Sequence, residues 1–370
     1  MPADSRAPRT RLADELPDFP WDSLTPYRQR AERHPDGVVD LSIGTPVDPT
    51  PELIRAALAA TADAPGYPLT AGFGPLRDAV TRWLADRCGA TGEIGVLPTI
   101  GSKEIVAWLP TLLGLGPGDI VAYPRLAYPT YEVGARLAGA TPVATDSLTS
   151  LGPARVRLIW LNSPSNPTGR VLPPAHLRKV VDWARERGAV VASDECYLEF
   201  GYDATPTSVL SVCDGDYTGV LAVHSLSKRS NLAGYRAGFV AGDPVLIRDL
   251  LAVRRHAGMI VPAPVQAAMV AALDDDEHVA AQRQRYAARR ALLRPALEAA
   301  GLRVDHSEAG LYLWATRDED CWQTVDWFAG RGIIVAPGVF YGEAGSRHVR
   351  IALTATDERI AAAVARLSEP

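Results

Sequence analysis

Unbroken apolar runs that stop at polar, turn-forming residues recur along this chain. Val220-Leu221-Ala222-Val223 leads into Ser225-Leu226-Ser227-Lys228, Val156 to Asn162 into Ser163-Pro164-Ser165-Asn166-Pro167-Thr168-Gly169, and Ala189 to Ser193 into Asp194-Glu195-Cys196-Tyr197. Continuous rather than alternating apolarity predicts strands covered on both faces. Ile94 to Ile100 and Ile120 to Tyr123 read as further apolar strand segments. Helical stretches lie between and after them. One opens at Thr50-Pro51-Glu52, with Thr50 as cap and Pro51 in the first turn, and runs toward Ala62. Others are Ile105 to Leu113, Pro244 to His256, Pro264 to Leu273 and Glu277 to Ala300, where Pro295 is expected to kink or break the helix. Leu311-Tyr312-Leu313-Trp314, Ile333-Ile334-Val335 and His348-Val349-Arg350-Ile351 outline a smaller sheet.

Composition narrows the class. At 370 residues the chain suits two domains, taking roughly 100–200 residues for each. A net charge of -5 gives no basic excess, so nucleic acid is not an expected partner and acidic small molecules must be met by local arginines. Cys88, Cys196, Cys213 and Cys321 have no metal-ligand spacing and suit reduced thiols, with Cys196 a small packing residue. No apolar run approaches the ~18 residues of a membrane span, and Met1 to Arg11 lack a signal-peptide core. A cytoplasmic location is expected. Met1 to Leu12 read as a disordered lead-in, and Pro17 to Tyr27 as an arm docking Phe19, Trp21 and Tyr27. The arginines of the Glu277 to Ala300 run suggest a solvated connecting helix.

A lysine just past a buried strand is an odd thing for a core to present. Ser225, Ser227 and Arg236 around Lys228 offer hydroxyl donors and a planar cation suited to phosphate, while the amine is free for covalent chemistry with a carbonyl. Pyridoxal phosphate needs both. Ligands of open α/β sheets bind beyond the carboxyl ends of the strands. Three strand ends would therefore bring Asn166, then Asp194 and Tyr197, then Lys228 to one edge. Gly101-Ser102-Lys103-Glu104 before a helix offers free N–H groups for an anion, a third side to the cup made with Ser225 and Arg236. Gly114-Leu115-Gly116-Pro117-Gly118 precedes a strand instead of following one, so it reads as a turn and not as a dinucleotide loop. Arg350 inside a strand needs an anionic partner if it is buried. Gly44 reads as a turn glycine, Tyr67 as a loop aromatic, and Tyr128 as core.

Asn166-Pro167-Thr168-Gly169, Asp194-x-x-Tyr197 and Ser225-x-Ser227-Lys228 with Arg236 eight residues on resemble the fold-type I aminotransferases that use pyridoxal phosphate. Leu126 to Gly134, His224 to Tyr235 and Ala352 to Glu358 resemble, more closely, actinobacterial N-succinyldiaminopimelate aminotransferases. The resemblance implies a mostly parallel central sheet flanked by helices plus a smaller α+β domain. The expected division is an N-terminal arm and start of the small domain in 1–45, a large cofactor domain in 46–275 and a C-terminal small domain in 276–370.

It implies that Lys228 holds the cofactor and moves the Cα proton, that Asp194 keeps the pyridine nitrogen protonated, and that Asn166 and Tyr197 bond the ring oxygen. Tyr128 would stack on the ring, Gly101, Ser102, Lys103, Ser225, Ser227 and Arg236 would hold the phosphate, and Gly44, Asn166 and Arg350 would meet the substrate carboxylate. Tyr67 would reach the phosphate in a partner subunit, making the protein a homodimer. The implied reaction passes an amino group between N-succinyl-LL-2,6-diaminopimelate and 2-oxoglutarate. The same machinery can also serve aspartate, aromatic or C–S lyase substrates. A pyridoxal-binding transcriptional regulator would need a DNA-binding segment for which the N-terminus offers no room. Lys103, Arg125, Arg229, Arg254 and Arg255 are candidates for a distal carboxylate, and Phe73 and Val339 are expected to border the cleft and bear on substrate preference.

Overall fold

The computed structural model describes residues 16–17 and 20–369; Phe19 and the lead-in before residue 16 lie outside them. Strands are β1 (Val39–Asp40), β2 (Gly95–Ile100), β3 (Ile120–Tyr123), β4 (Thr141–Ala144), β5 (Val156–Asn162), β6 (Val190–Asp194), β7 (Val220–Ser225), β8 (Ala237–Gly242), β9 (Arg303–Asp305), β10 (Tyr312–Thr316), β11 (Ile333–Ile334), β12 (Ala336–Pro337) and β13 (Val349–Ala352). Helices are α1 (Thr25–Ala31), α2 (Glu52–Ala60), α3 (Gly74–Cys88), α4 (Gly101–Leu112), α5 (Thr130–Leu137), α6 (Pro174–Arg185), α7 (Leu226–Arg229), α8 (Pro244–Ala257), α9 (Ala263–Leu273), α10 (Glu277–Ala299), α11 (Cys321–Gly330) and α12 (Asp357–Leu367).

Seven strands form the large sheet in the order β2-β8-β7-β6-β5-β3-β4, with β8 alone running against its neighbours. Every residue of β7 and β8 is buried, as the continuous apolar runs require. One face packs on α3, α6 and α9, the other on α4, α5 and α8. A separate core lies under the sheet β12-β13-β10-β9 and takes in α10, α11 and α12. The N-terminal segment joins it, because β1 pairs in parallel with β11 and Tyr27 stacks on Trp322.

Three local expectations fail. Thr50 does not cap α2: its hydroxyl donates to the Asn231 carbonyl at 3.1 Å, and Pro51 takes the cap position. Pro295 does not break α10, which runs on to Ala299. Pro295 and Ala291 are exposed, so the carbonyl deprived of its N–H faces solvent, while Leu293 and Leu297 bury the opposite side. Nor are the arginines of α10 merely solvated. Arg289 is 2 % exposed; it grips both Asp48 oxygens at 2.7 and 2.9 Å and Asp357 at 2.6 Å, tying α10 to α12 and to the loop before α2.

Candidate active site

The ends of β5, β6 and β7 converge. Asn162 pairs with Asp194 across the sheet, and Asp194 with Val223. Asn162 serves as a clamp: its amide donates to the Asp194 carbonyl at 2.9 Å, and its side-chain oxygen accepts from the Asn166 N–H at 2.7 Å. The loop after β5 therefore returns Asn166 to the strand edge. At the end of β7, the Ser225 hydroxyl accepts from the Ser227 N–H at 3.2 Å and caps the single turn α7 that carries Lys228.

A cavity of about 700 Å³ opens over these ends. It brings together Gly44, Ser102, Lys103, Tyr128, Asn166, Asp194, Tyr197, Ser225, Ser227, Lys228, Arg236 and Arg350. Gly101 lies against Arg236: at φ +70° it begins α4, and a Cβ there would stand 2.4 Å from the guanidinium. Arg236, itself at φ +58°, bonds the carbonyls of Ala233 at 2.8 Å and Ile100 at 3.3 Å. Guanidinium, helix start and two serines thus form a cationic, donor-rich cup. Glu104 in the same helix turn is held by Arg254 in two bonds of 2.6 and 3.1 Å, which offsets its charge beside that cup.

Lys228 donates to the Gly44 carbonyl, and burial pushes its amine below the usual lysine range, favouring the neutral nucleophile. Gly44 is a point of close approach, since a Cβ would lie 2.1 Å from the Tyr312 hydroxyl. That hydroxyl shares a 3.1 Å bond with Tyr197. Burial also raises Asp194, opposed by hydrogen bonds from Cys196 and Tyr131. Cys196 therefore does more than pack: it lines the cavity, and its N–H meets Asp194 at 3.3 Å.

Arg350 is 3 % exposed. It donates to Asn166 at 3.0 Å and to the Ser42 carbonyl at 2.6 Å, lies 4.0 Å from the Tyr312 ring centre, and leaves Nε without a partner. Among the described residues no carboxylate pairs with it. A buried guanidinium lacking its anion is costly unless a ligand supplies one.

Other expectations change. Arg229 is buried against Glu199 and the Ala272 carbonyl, Arg254 is committed to Glu104, and Arg125 and Arg255 do not line the cavity; of the five candidate cations only Lys103 does. Phe73 packs on the large core, while Phe340, next to Val339, backs Trp21 with ring centres 5.2 Å apart; neither Phe73 nor Val339 lines the cavity. Tyr67 is fully exposed and outside it. Sequence reasoning missed Asn162, Trp21 and Tyr312 as cavity residues, and Tyr131 as the partner of Asp194. Alternation along β10 placed Tyr312 and Trp314 on one face, but nothing local named its partner.

Lysine, buried carboxylate, cationic donor-rich cup and flanking tyrosine fit pyridoxal phosphate, so fold and site define a fold-type I enzyme dependent on that cofactor. Aminotransferase class I and II is the family that matches, over residues 36–367. The chain belongs to that family and is a pyridoxal phosphate-dependent aminotransferase. It is 65 % identical over 364 residues to a probable aminotransferase of Mycobacterium tuberculosis, covering 97 % of this chain and 87 % of that one. It is 63 % identical over 357 residues to the 4-dedimethylamino-4-oxo-anhydrotetracycline transaminase OxyQ of Streptomyces rimosus, covering 96 % and 99 %. A solved structure of a probable N-succinyldiaminopimelate aminotransferase from Thermus thermophilus superposes with a TM-score of 0.85 at 29 % identity, covering 94 % and 99 %. Among the described residues, no helix is long and apolar enough to cross a membrane.

Proposed function

We propose that the enzyme moves an amino group between N-succinyl-LL-2,6-diaminopimelate and 2-oxoglutarate. The observation that carries an amino-acid substrate is Arg350, buried without an anion in the wall of the cavity. An α-carboxylate suits its planar fork. Lys103, exposed on the same cavity, is the cation available to a distal carboxylate, and the likeness to the Thermus thermophilus enzyme supports the choice of substrate.

The bound cofactor supplies an electron sink for the bond broken at Cα. The chain's own residues do the rest. Arg350 and Asn166 orient the α-carboxylate. Lys228, lowered by burial, would take the Cα proton on Nζ and hand it to the cofactor carbon that bears the transferred nitrogen. Asp194 holds a positive charge at the pyridine nitrogen, Tyr197 and Asn166 donate to the ring oxygen, and Tyr128 covers the ring face. Gly101, Ser102, Ser225, Ser227 and Arg236 hold the phosphate, and Lys103 at the exposed rim is left for the distal carboxylate. The protein acts in the cytoplasm as a homodimer in which Tyr67, free of its own cavity, reaches the partner's site. The division near residues 45 and 275 follows the two separate cores.

A second reading, amination of a ring ketone, has its own support: the likeness to OxyQ and a cavity wall rich in aromatics, Trp21, Tyr128, Tyr197 and Tyr312. Single-turnover absorbance of the reconstituted enzyme separates the two. N-succinyl-LL-diaminopimelate should convert the cofactor to its amine form in the parent and not in Lys228→Ala. Response to glutamate but not to this substrate would keep the aminotransferase and reject the assignment.

A further inference from the structure

We propose that Tyr131 is a positioning residue of this site, whose hydroxyl aims the Asp194 carboxylate and helps keep it ionised beneath the cofactor ring. The hydroxyl donates to Asp194 Oδ2 at 2.9 Å. Cys196 supplies the other bonds, its N–H to Oδ1 at 3.3 Å and its thiol to the same carboxylate. Tyr131 on one side and Cys196 on the other set the carboxylate plane. Removal of the Tyr131 hydroxyl strips a buried anion of a donor.

Tyr131 is itself held hard. Its ring is fully buried, stacked on Trp160 with centres 4.9 Å apart and planes 20° apart, and edge-on to Tyr128 at 6.0 Å and 85°. Tyr128 and Tyr131 stand three residues apart across the start of α5. One turn of chain therefore places both the aromatic that covers the cofactor ring and the donor that fixes its acid.

Lys228 shares the cavity with Asp194, its amine lowered by burial. Tyr128, Cys196 and Tyr197 are all raised by burial and stay neutral, and Glu195 is an acid. Tyr131 is raised too, so it remains a donor across the working pH range.

The test compares parent and Tyr131→Phe, which keeps the stacked ring and deletes only the donor. Two readouts are taken: the dissociation constant of pyridoxal phosphate from reconstituted protein by equilibrium dialysis between pH 6 and 9, and the pH titration of the bound cofactor's absorbance. Losing a hydrogen bond to a charged group should weaken binding about tenfold to hundredfold. The loss should deepen toward pH 6, because Asp194 then takes up a proton at higher pH. Equal affinity and superimposable pH curves would overturn the proposal, leaving the ring as packing alone. The comparison is also made in Asp194→Asn, where Tyr131→Phe should cost little more; an equal loss in both backgrounds would mean that the hydroxyl acts elsewhere and overturn it.

Discussion

Glu195 follows Asp194 into the large core and is 2 % exposed. One oxygen accepts from the Val209 N–H at 2.7 Å. The other faces His224 Nε2 at 3.5 Å. Burial pushes this carboxyl up to about 7, against bonds from Ser208, Val209 and Ser193 that favour the anion. In the unfolded chain it titrates near 4.5. Because the folded value is the higher, stability is fully present below 4.5 and is lost as pH rises through 7. Between pH 5 and 8 this one group should remove about 2.5 kcal/mol from the folded state. For 370 residues a melting entropy of roughly 0.8 kcal/mol/K turns that into about 3 °C. Glu195→Gln keeps the acceptor and has no proton to lose. The melting temperature of the variant relative to the parent should therefore climb by about 3 °C from pH 5 to pH 8. His224, pushed down to about 3 by burial first and by Arg229 second, acts in the opposite sense below 6.5 but is common to both proteins. Parallel curves for parent and variant would refute the reasoning.

Arg350→Lys keeps the charge and loses the planar fork; kcat/KM for the amino donor should fall about tenfold to hundredfold with little change in melting temperature, and an unchanged kcat/KM would count against the carboxylate role. Arg289→Met leaves the half-buried Asp48 with only Gln282 at 2.8 Å and the more distant Arg285 at 3.7 Å, at a cost of about 3 kcal/mol, so the melting temperature should drop by about 4 °C; a neutral result would mean that the joint between α10, α12 and residue 48 contributes nothing.

Much of the site was legible because strand ends write it locally. A lysine with flanking serines, an Asp-x-x-Tyr step and an Asn-Pro loop each follow a continuous apolar run, and parallel strands deliver such ends to one edge. Tyr312 escaped because its role depends on where β10 lies relative to the loop at Gly44, far away in the chain. Tyr131 escaped because its hydroxyl meets Asp194 only when α5 packs on the sheet. The rim cations could not be ranked for a similar reason: Arg229 and Arg254 looked as free as Lys103 until folding gave them Glu199 and Glu104.

The order of apolar runs and helical stretches, by itself, determined the architecture: continuous apolarity demands cover on both faces of a sheet, and alternation with helices makes that sheet mostly parallel. It also determined the chemistry that the strand ends offer. Tertiary structure alone decided which charges are spent on the fold and which are left for a ligand. Pairing is a property of distance, and Arg289 beside Asp48 and Arg350 beside no acid are indistinguishable until the chain brings their neighbours within a few ångströms.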